Sequence, residues 1–204
     1  MPNFTDITGL ASVASAGAAA VLVLPGIARL SRSRLAVLQG TVFALMLIPF
    51  GELPLAAYLR GVTGDLSITT LVLIWCALIR PGFACGGNKT SNRRSLPTLV
   101  ALVALLFYPL SLGLTAFDPY RLGYGDPQLV AALLLAALAA WFRKQHLIAI
   151  CISLAILAWT TGWYESGNLW DYLLDPWVAI YSLSVMVLQG MKMLSQFGKE
   201  NEPR

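Results

Sequence analysis

TGLASVASAGAAAVLVLPGIARLSRSR, running from Thr8 to Arg34, decides how the chain is read. Its first twenty or so residues carry no charge, and Arg29, Arg32 and Arg34 follow within a few positions. A helix needs about 20 mostly apolar residues to cross a hydrocarbon core of about 30 Å, and this stretch supplies them. The residues before it, Met1 to Ile7, hold Asp6 and no Lys or Arg. A cleavable secretory signal has the opposite polarity, with its cations first. The stretch therefore predicts an uncleaved first membrane helix near residues 8 to 28 that delivers the N-terminus outward.

Composition extends this reading to the whole chain. Of 204 residues, 57% are hydrophobic and 12% charged, about half the charged share usual in soluble domains. Long apolar runs predict six further helices, near 36 to 57, 66 to 80, 97 to 116, 127 to 142, 146 to 164 and 176 to 194. The expected fold is an all-α, polytopic membrane bundle of about seven transmembrane helices in a single domain, residues 1 to 204.

Charge then gives each helix a direction, because Lys and Arg near helix ends are retained in the cytoplasm. Arg29, Arg32 and Arg34, then Arg80, Lys89, Arg93 and Arg94, then Arg143 and Lys144, then Lys192, Lys199 and Arg204 fall in alternate connections and the tail. Of the basic residues, only Arg60 and Arg121 fall on the other side. That side holds Asp6, Glu52, Asp65, Asp118, Asp126, Glu165, Asp171 and Asp175. The alternation predicts an N-terminus outside and a C-terminus inside, which places the protein in a bacterial inner membrane with a periplasmic N-terminus. The net charge of +4 follows from sidedness and gives no reason to expect a nucleic-acid partner. No cofactor or metal is expected either. His146 is the single histidine, and Cys76, Cys85 and Cys151 include no CxxC pair.

Small residues four apart let helices approach closely in lipid. Three such stripes are Ser12, Ala16 and Ala20; Ala132, Ala136 and Ala140; and Ala158, Gly162 and Ser166. They are read as internal packing faces, with docking of a partner subunit as the alternative.

The outer side carries the candidate site. Asp118-Pro119, Asp126-Pro127 and Asp175-Pro176 match the cap-then-proline pattern of a helix start, which gives these acids a structural role. Trp163, Tyr164, Trp170, Tyr172 and Trp177 form an interfacial aromatic belt. Between them Glu165, Asn168, Trp170 and Asp171 mix rings with polar groups, so they are candidate partner-binding or substrate-binding residues, together with Tyr124. The stretch Pro49-Phe50-Gly51-Glu52-Leu53-Pro54 has two prolines and a glycine around a carboxylate, which predicts a kinked or broken helix. Leu66 to Ile79 is short for a crossing, about 21 Å at roughly 1.5 Å per residue, which would recess Asp65 below the outer surface. Ionisable groups at such depth are site candidates, with Arg60 or Arg121 as counter-charge.

No motif here fixes a reaction, and three functions compete. The first is a non-catalytic accessory or scaffold subunit of a cell-envelope complex, with a membrane-protein partner and the lipid bilayer around it. The second is an outer-leaflet enzyme on a lipid-linked or glycan substrate, in which Glu52 or Asp65 serves as general base and Arg60 or Arg121 holds phosphate. The third is a small transporter or flippase built on the broken second helix.

Overall fold

The computed structural model describes residues 4–79, 92–114 and 116–200. Arg80, Cys85, Lys89 and the last residues, 201–204, lie outside them. Among the described residues the fold is all-α apart from one hairpin of two two-residue strands. Among the described residues there are nine α-helices: α1 (Phe4–Ala20), α2 (Arg32–Leu47), α3 (Leu55–Thr63), α4 (Ile68–Ile79), α5 (Asn92–Pro109), α6 (Pro127–Phe142), α7 (His146–Thr160), α8 (Leu169–Leu173) and α9 (Pro176–Glu200).

Each expected segment holds a helix, and the two additional helices have local causes. The second apolar run was expected to be helical from 36 to 57. It stops at Leu47, because Pro49 and Pro54 lack the N–H that a continuing helix needs. Between them β1 (Pro49–Phe50) and β2 (Leu53–Pro54) pair antiparallel, Phe50 opposite Leu53, around a Gly51-Glu52 turn. Gly51 takes φ +81°, a conformation open to glycine at little cost. The chain then resumes as α3. The other additional helix, α8, is a single turn whose start is capped by the Asn168 side chain, which accepts a hydrogen bond from the Trp170 amide at 2.9 Å. The first helix ends earlier than residue 28, passing into a short 3-10 turn over Val21–Val23 ahead of Pro25-Gly26.

Packing gathers the buried apolar side chains into three clusters. Val13 and Ala14 of α1, Met46 of α2 and Ala56 of α3 form one apolar cluster. Helices α5, α6, α7 and α9 share a second, built on Val100, Ala104, Phe107, Ala140, Cys151 and Val178 among others. Ile68 of α4 joins Ala155 and Ala158 of α7, with Tyr164 of the loop beyond and Tyr172 of α8, in a third. Helix α4 also packs on α1, which ties the clusters together.

Many buried side chains are small, although Tyr172 and Leu169 are buried as deeply, and large apolar side chains are common on the surface. Ala14, Ala101, Ala155, Ser67 and Ser182 are fully buried, and Ser12, Ser15 and Thr69 nearly so. Leu106, Leu135, Phe142, Trp141 and Val187 are all more than half exposed. Two stretches, Phe4–Val23 and Ser95–Leu114, are long and apolar enough to cross a bilayer on their own, while Ile68–Ile79, Pro127–Phe142 and His146–Thr160 are apolar but shorter.

The small-residue stripes do not serve as expected. Ser12, Ala140 and Ala158 are buried, but Ala20, Ala132, Ala136 and Gly162 are exposed. The buried faces are set by Ala14 and Ala18 on α1 and by Ala155 on α7, each off its stripe. Spacing within one helix shows only that a close approach is possible; which face is used depends on the neighbour.

This division into buried and exposed faces has a measurable consequence. Ala155→Leu, at a fully buried site, is expected to lower stability by about 1–3 kcal/mol through overpacking, while Ala132→Leu on the exposed face of α6 stays within about 0.5 kcal/mol. Thermal unfolding of the detergent-solubilised protein reads both.

Candidate functional site

Five of the acids that the sequence assigns to one side, Asp6, Asp65, Glu165, Asp171 and Asp175, build junctions between distant segments, while Glu52 stands apart from them. The first junction begins with Arg60 in the last turn of α3. Its Nε donates to Asp65 Oδ1 at 2.6 Å and its second terminal nitrogen to Asp65 Oδ2 at 3.1 Å, a two-pronged pairing that uses both carboxylate oxygens. The other terminal nitrogen reaches Asp6 Oδ1 of α1 at 3.3 Å. Glu165, from the loop after α7, stands 3.8 Å away. One guanidinium thus holds three segments distant in sequence. Gly9 permits this, because a Cβ there would collide with the Arg60 guanidinium and Asp65. The Thr8 hydroxyl also donates to the Trp163 carbonyl, and Phe4 meets the Trp163 ring edge-on at 5.6 Å.

Asp175 forms the second junction and is 4% exposed. Its Oδ1 accepts from the Val178 amide at 2.8 Å, the N-cap bond foreseen for α9. Its Oδ2 accepts from the Ser67 amide at 2.7 Å and the Thr70 hydroxyl at 2.5 Å, both at the start of α4. A single carboxylate therefore caps two helices, and the positive ends of both helix dipoles face its charge.

The third junction latches the 118–123 segment to the segment after α7. Asp171 accepts from the Tyr120 hydroxyl at 3.1 Å and the Ser166 hydroxyl at 2.5 Å. Asn168 donates to the Tyr120 carbonyl at 2.9 Å, and Trp170 Nε1 donates to the Pro119 carbonyl at 2.9 Å. The Trp170 ring packs on Phe107 of α5 with centroids 4.5 Å apart. Gly123 is required here, since a Cβ would strike the Asn168 side chain. Tyr172, fully buried, accepts from the Tyr164 amide and donates to the Ser166 carbonyl at 3.0 Å. Burial and then the Asp171 charge push the Tyr120 phenol above its ordinary value, and burial raises Tyr172 as well. Both remain neutral donors at physiological pH.

The sequence candidates fall into three groups. Arg60, Asp65 and Glu165 come together as an ion cluster, joined by Asp6. Asn168, Trp170 and Asp171 are tied to one another and to the 118–123 loop, and Asn168 is fully buried. Glu52, Arg121 and Tyr124 are exposed. Glu52 does not pair with Asp65: it sits at the hairpin turn, where no ion pair reaches it among the described residues. Arg121 likewise makes no ion pair among them, and Tyr124 touches the Tyr120 ring edge-on at 5.8 Å. Among the described residues no three His, Cys, Asp or Glu side chains gather as metal ligands.

Spacing alone did not reveal Asp6, Ser67, Thr70 and Tyr120 as members of these junctions. Asp175-Pro176 signalled one cap, but its second, across more than 100 residues of chain, has no local signature. Asp118 and Asp126 cap as expected, accepting from the Tyr120 amide at 2.9 Å and the Gln128 amide at 2.8 Å. Comparison with known protein families, characterised proteins and solved structures found no match to this chain.

The double cap separates Asp175 from the ordinary caps. Asp175→Ala is expected to cost about 3 kcal/mol, from two caps at about 1 kcal/mol each plus donors left unsatisfied in a buried place. Asp126→Ala, with one partly exposed cap, is expected to cost about 1 kcal/mol. Chemical or thermal unfolding of the two variants side by side checks the ratio.

Proposed function

We propose that the chain is a non-catalytic accessory or scaffold subunit of a cell-envelope complex, embedded in a bacterial inner membrane by seven crossings, with the N-terminus periplasmic and the C-terminus cytoplasmic. The exposed Leu, Phe and Trp side chains around a small-residue, hydroxyl-bearing interior support a lipid surround, because a soluble monomer rarely leaves such large contiguous apolar patches in water. In this reading α2 and α3 together make the second crossing, and α8 lies along the outer surface. The gathering of Asp6, Asp65, Glu165, Asp171 and Asp175 at one end supports a common outward compartment for the loops that carry them.

One observation favours scaffold over enzyme: of the groups nominated for chemistry, Asp65 and Arg60 are engaged with each other, while Glu52 and Arg121 stand exposed and apart from that pair. Both Asp65 oxygens are taken by Arg60, Arg60 itself is shared among three carboxylates, and Asp171 is bonded to two hydroxyls. A general base needs a free lone pair directed at substrate. These groups instead stiffen an outer plate whose remaining exposed residues, Glu165, Tyr124, Arg121, Trp163 and Trp177, offer a mixed aromatic and charged contact surface. Aromatic and arginine side chains are the types enriched at protein interfaces.

Gentle detergent extraction from native membranes, followed by mass determination of the intact particle, tests this. The chain is expected in a stoichiometric complex with at least one other membrane protein, and Tyr124→Ala with Arg121→Glu is expected to weaken that complex by about tenfold or more without unfolding the chain. Recovery of the chain alone, in every mild detergent tried, would contradict the proposal.

A further inference from the structure

The break between α2 and α3 sits at an unusual depth. Met46 before it and Ala56 after it pack against Val13 and Ala14 of α1. Those two residues are the centre of the apolar stretch Phe4–Val23, about 15 Å from either end at roughly 1.5 Å per residue. Arg60, nine residues beyond Gly51, is by contrast level with Asp6 and Gly9. Helices α2 and α3 therefore run one after the other along α1, with the hairpin between them beside the middle of its apolar stretch.

Irregular backbone at such a depth persists only where protein covers it or water fills a cavity beside it. Here the hairpin is on the outside. Phe50 is 84% exposed, and Ile48, Leu53 and Leu55, its neighbours in the chain, are exposed with it. Among the described residues no backbone hydrogen bond from another element reaches Gly51 or Glu52, and no side-chain bond or ion pair reaches the Glu52 carboxylate. An isolated carboxylate in hydrocarbon is costly enough to demand a counter-charge. The apolar rim is unsuited to a water-filled crevice and suited to a helix.

We infer that the Pro49–Pro54 hairpin is the seat of a transmembrane helix from a different protein, which carries a lysine or arginine at the depth of Glu52. A second copy of this chain does not fit the seat. Its basic residues near that half of the fold are Arg60, already held by three carboxylates, and Arg121, which lies in the loop preceding α6. Two copies meeting at the hairpin would also oppose two Glu52 charges. This inference rests on the membrane-subunit reading and names the surface by which the subunit is held.

The test places a benzophenone amino acid at Phe50, in cells and in the full chain, with Leu135 on the exposed face of α6 as the control position. Irradiation is expected to give one discrete adduct from position 50 and none from 135. Mass spectrometry is expected to map it to a transmembrane segment of another protein with a Lys or Arg within one helical turn. Glu52→Gln, a change at a side chain with no internal bond, is expected to lower the adduct yield about tenfold or more, the loss typical when one side of a buried charge pair is removed. Glu52→Lys combined with reversal of the partner's cation should restore it. An adduct with lipid only, with a second copy only, or one indifferent to Glu52→Gln overturns the inference. If a stoichiometric complex is recovered in the same cells while position 50 reaches only lipid, the inference fails and the subunit reading stands. Recovery of the chain alone removes both.

Discussion

The buried Asp175 carboxylate accepts hydrogen bonds from the starts of two helices, and the acidic junctions of the fold are arranged around that fact. Val72 and Leu73 of α4 pack against the apolar cluster that holds Val178 and Ala179 of α9, and the shared carboxylate adds a polar tie at the helix starts. A charge shared by two helix N-termini supplies both an energy and an angle, because the Ser67 and Val178 amides must converge on the same two oxygens. Once α4 and α9 start from one point, the loop 163–175 has a fixed span. Tyr172 and Asp171 are then carried to where Tyr164, Ser166 and Tyr120 meet them.

Arg60 does the corresponding work on the other flank. Its planar fork suits a carboxylate held at two points, and a lysine could not make the same pairing. Because the three acids around it come from α1, from the α3–α4 connection and from the loop after α7, the ion cluster locks the N-terminal hairpin of helices onto the remainder. Exposed ion pairs are individually weak, but a shared, partly buried guanidinium with bidentate geometry is the case in which they matter. The two junctions, with the Tyr120–Asp171 latch between loops, make the acidic end a rigid plate, whereas the hairpin at Glu52 is left outside this web.

Much of this was legible in the amino-acid sequence, and the limits have physical causes. Helix positions followed from apolar run length, and Pro49, Pro54 and Gly51 marked the break in the second helix because they change the backbone itself. The Asp-Pro pairs gave their caps for the same local reason. The small-residue stripes failed as guides, since Ala132 and Ala136 satisfy the spacing rule yet face outward. Arg60 was expected as counter-charge for Glu52 or Asp65 from its nearness in the chain, and α3 carries it to Asp65 and leaves Glu52 behind at the turn. The contacts of Asp6 with Arg60 and of Asp175 with Thr70 depend on how distant helices dock, which no short window of residues encodes.

The account stands on the acidic plate and the basic connections facing opposite compartments. The most direct measurement is labelling of single cysteines with a membrane-impermeant thiol reagent in intact cells, after Cys76, Cys85 and Cys151 have been replaced. Cysteine placed at Tyr124 or Glu165 is expected to react from outside, and cysteine placed at Ser33 or Lys144 only after the membrane is opened. Reaction of all four positions from the same side would contradict the account.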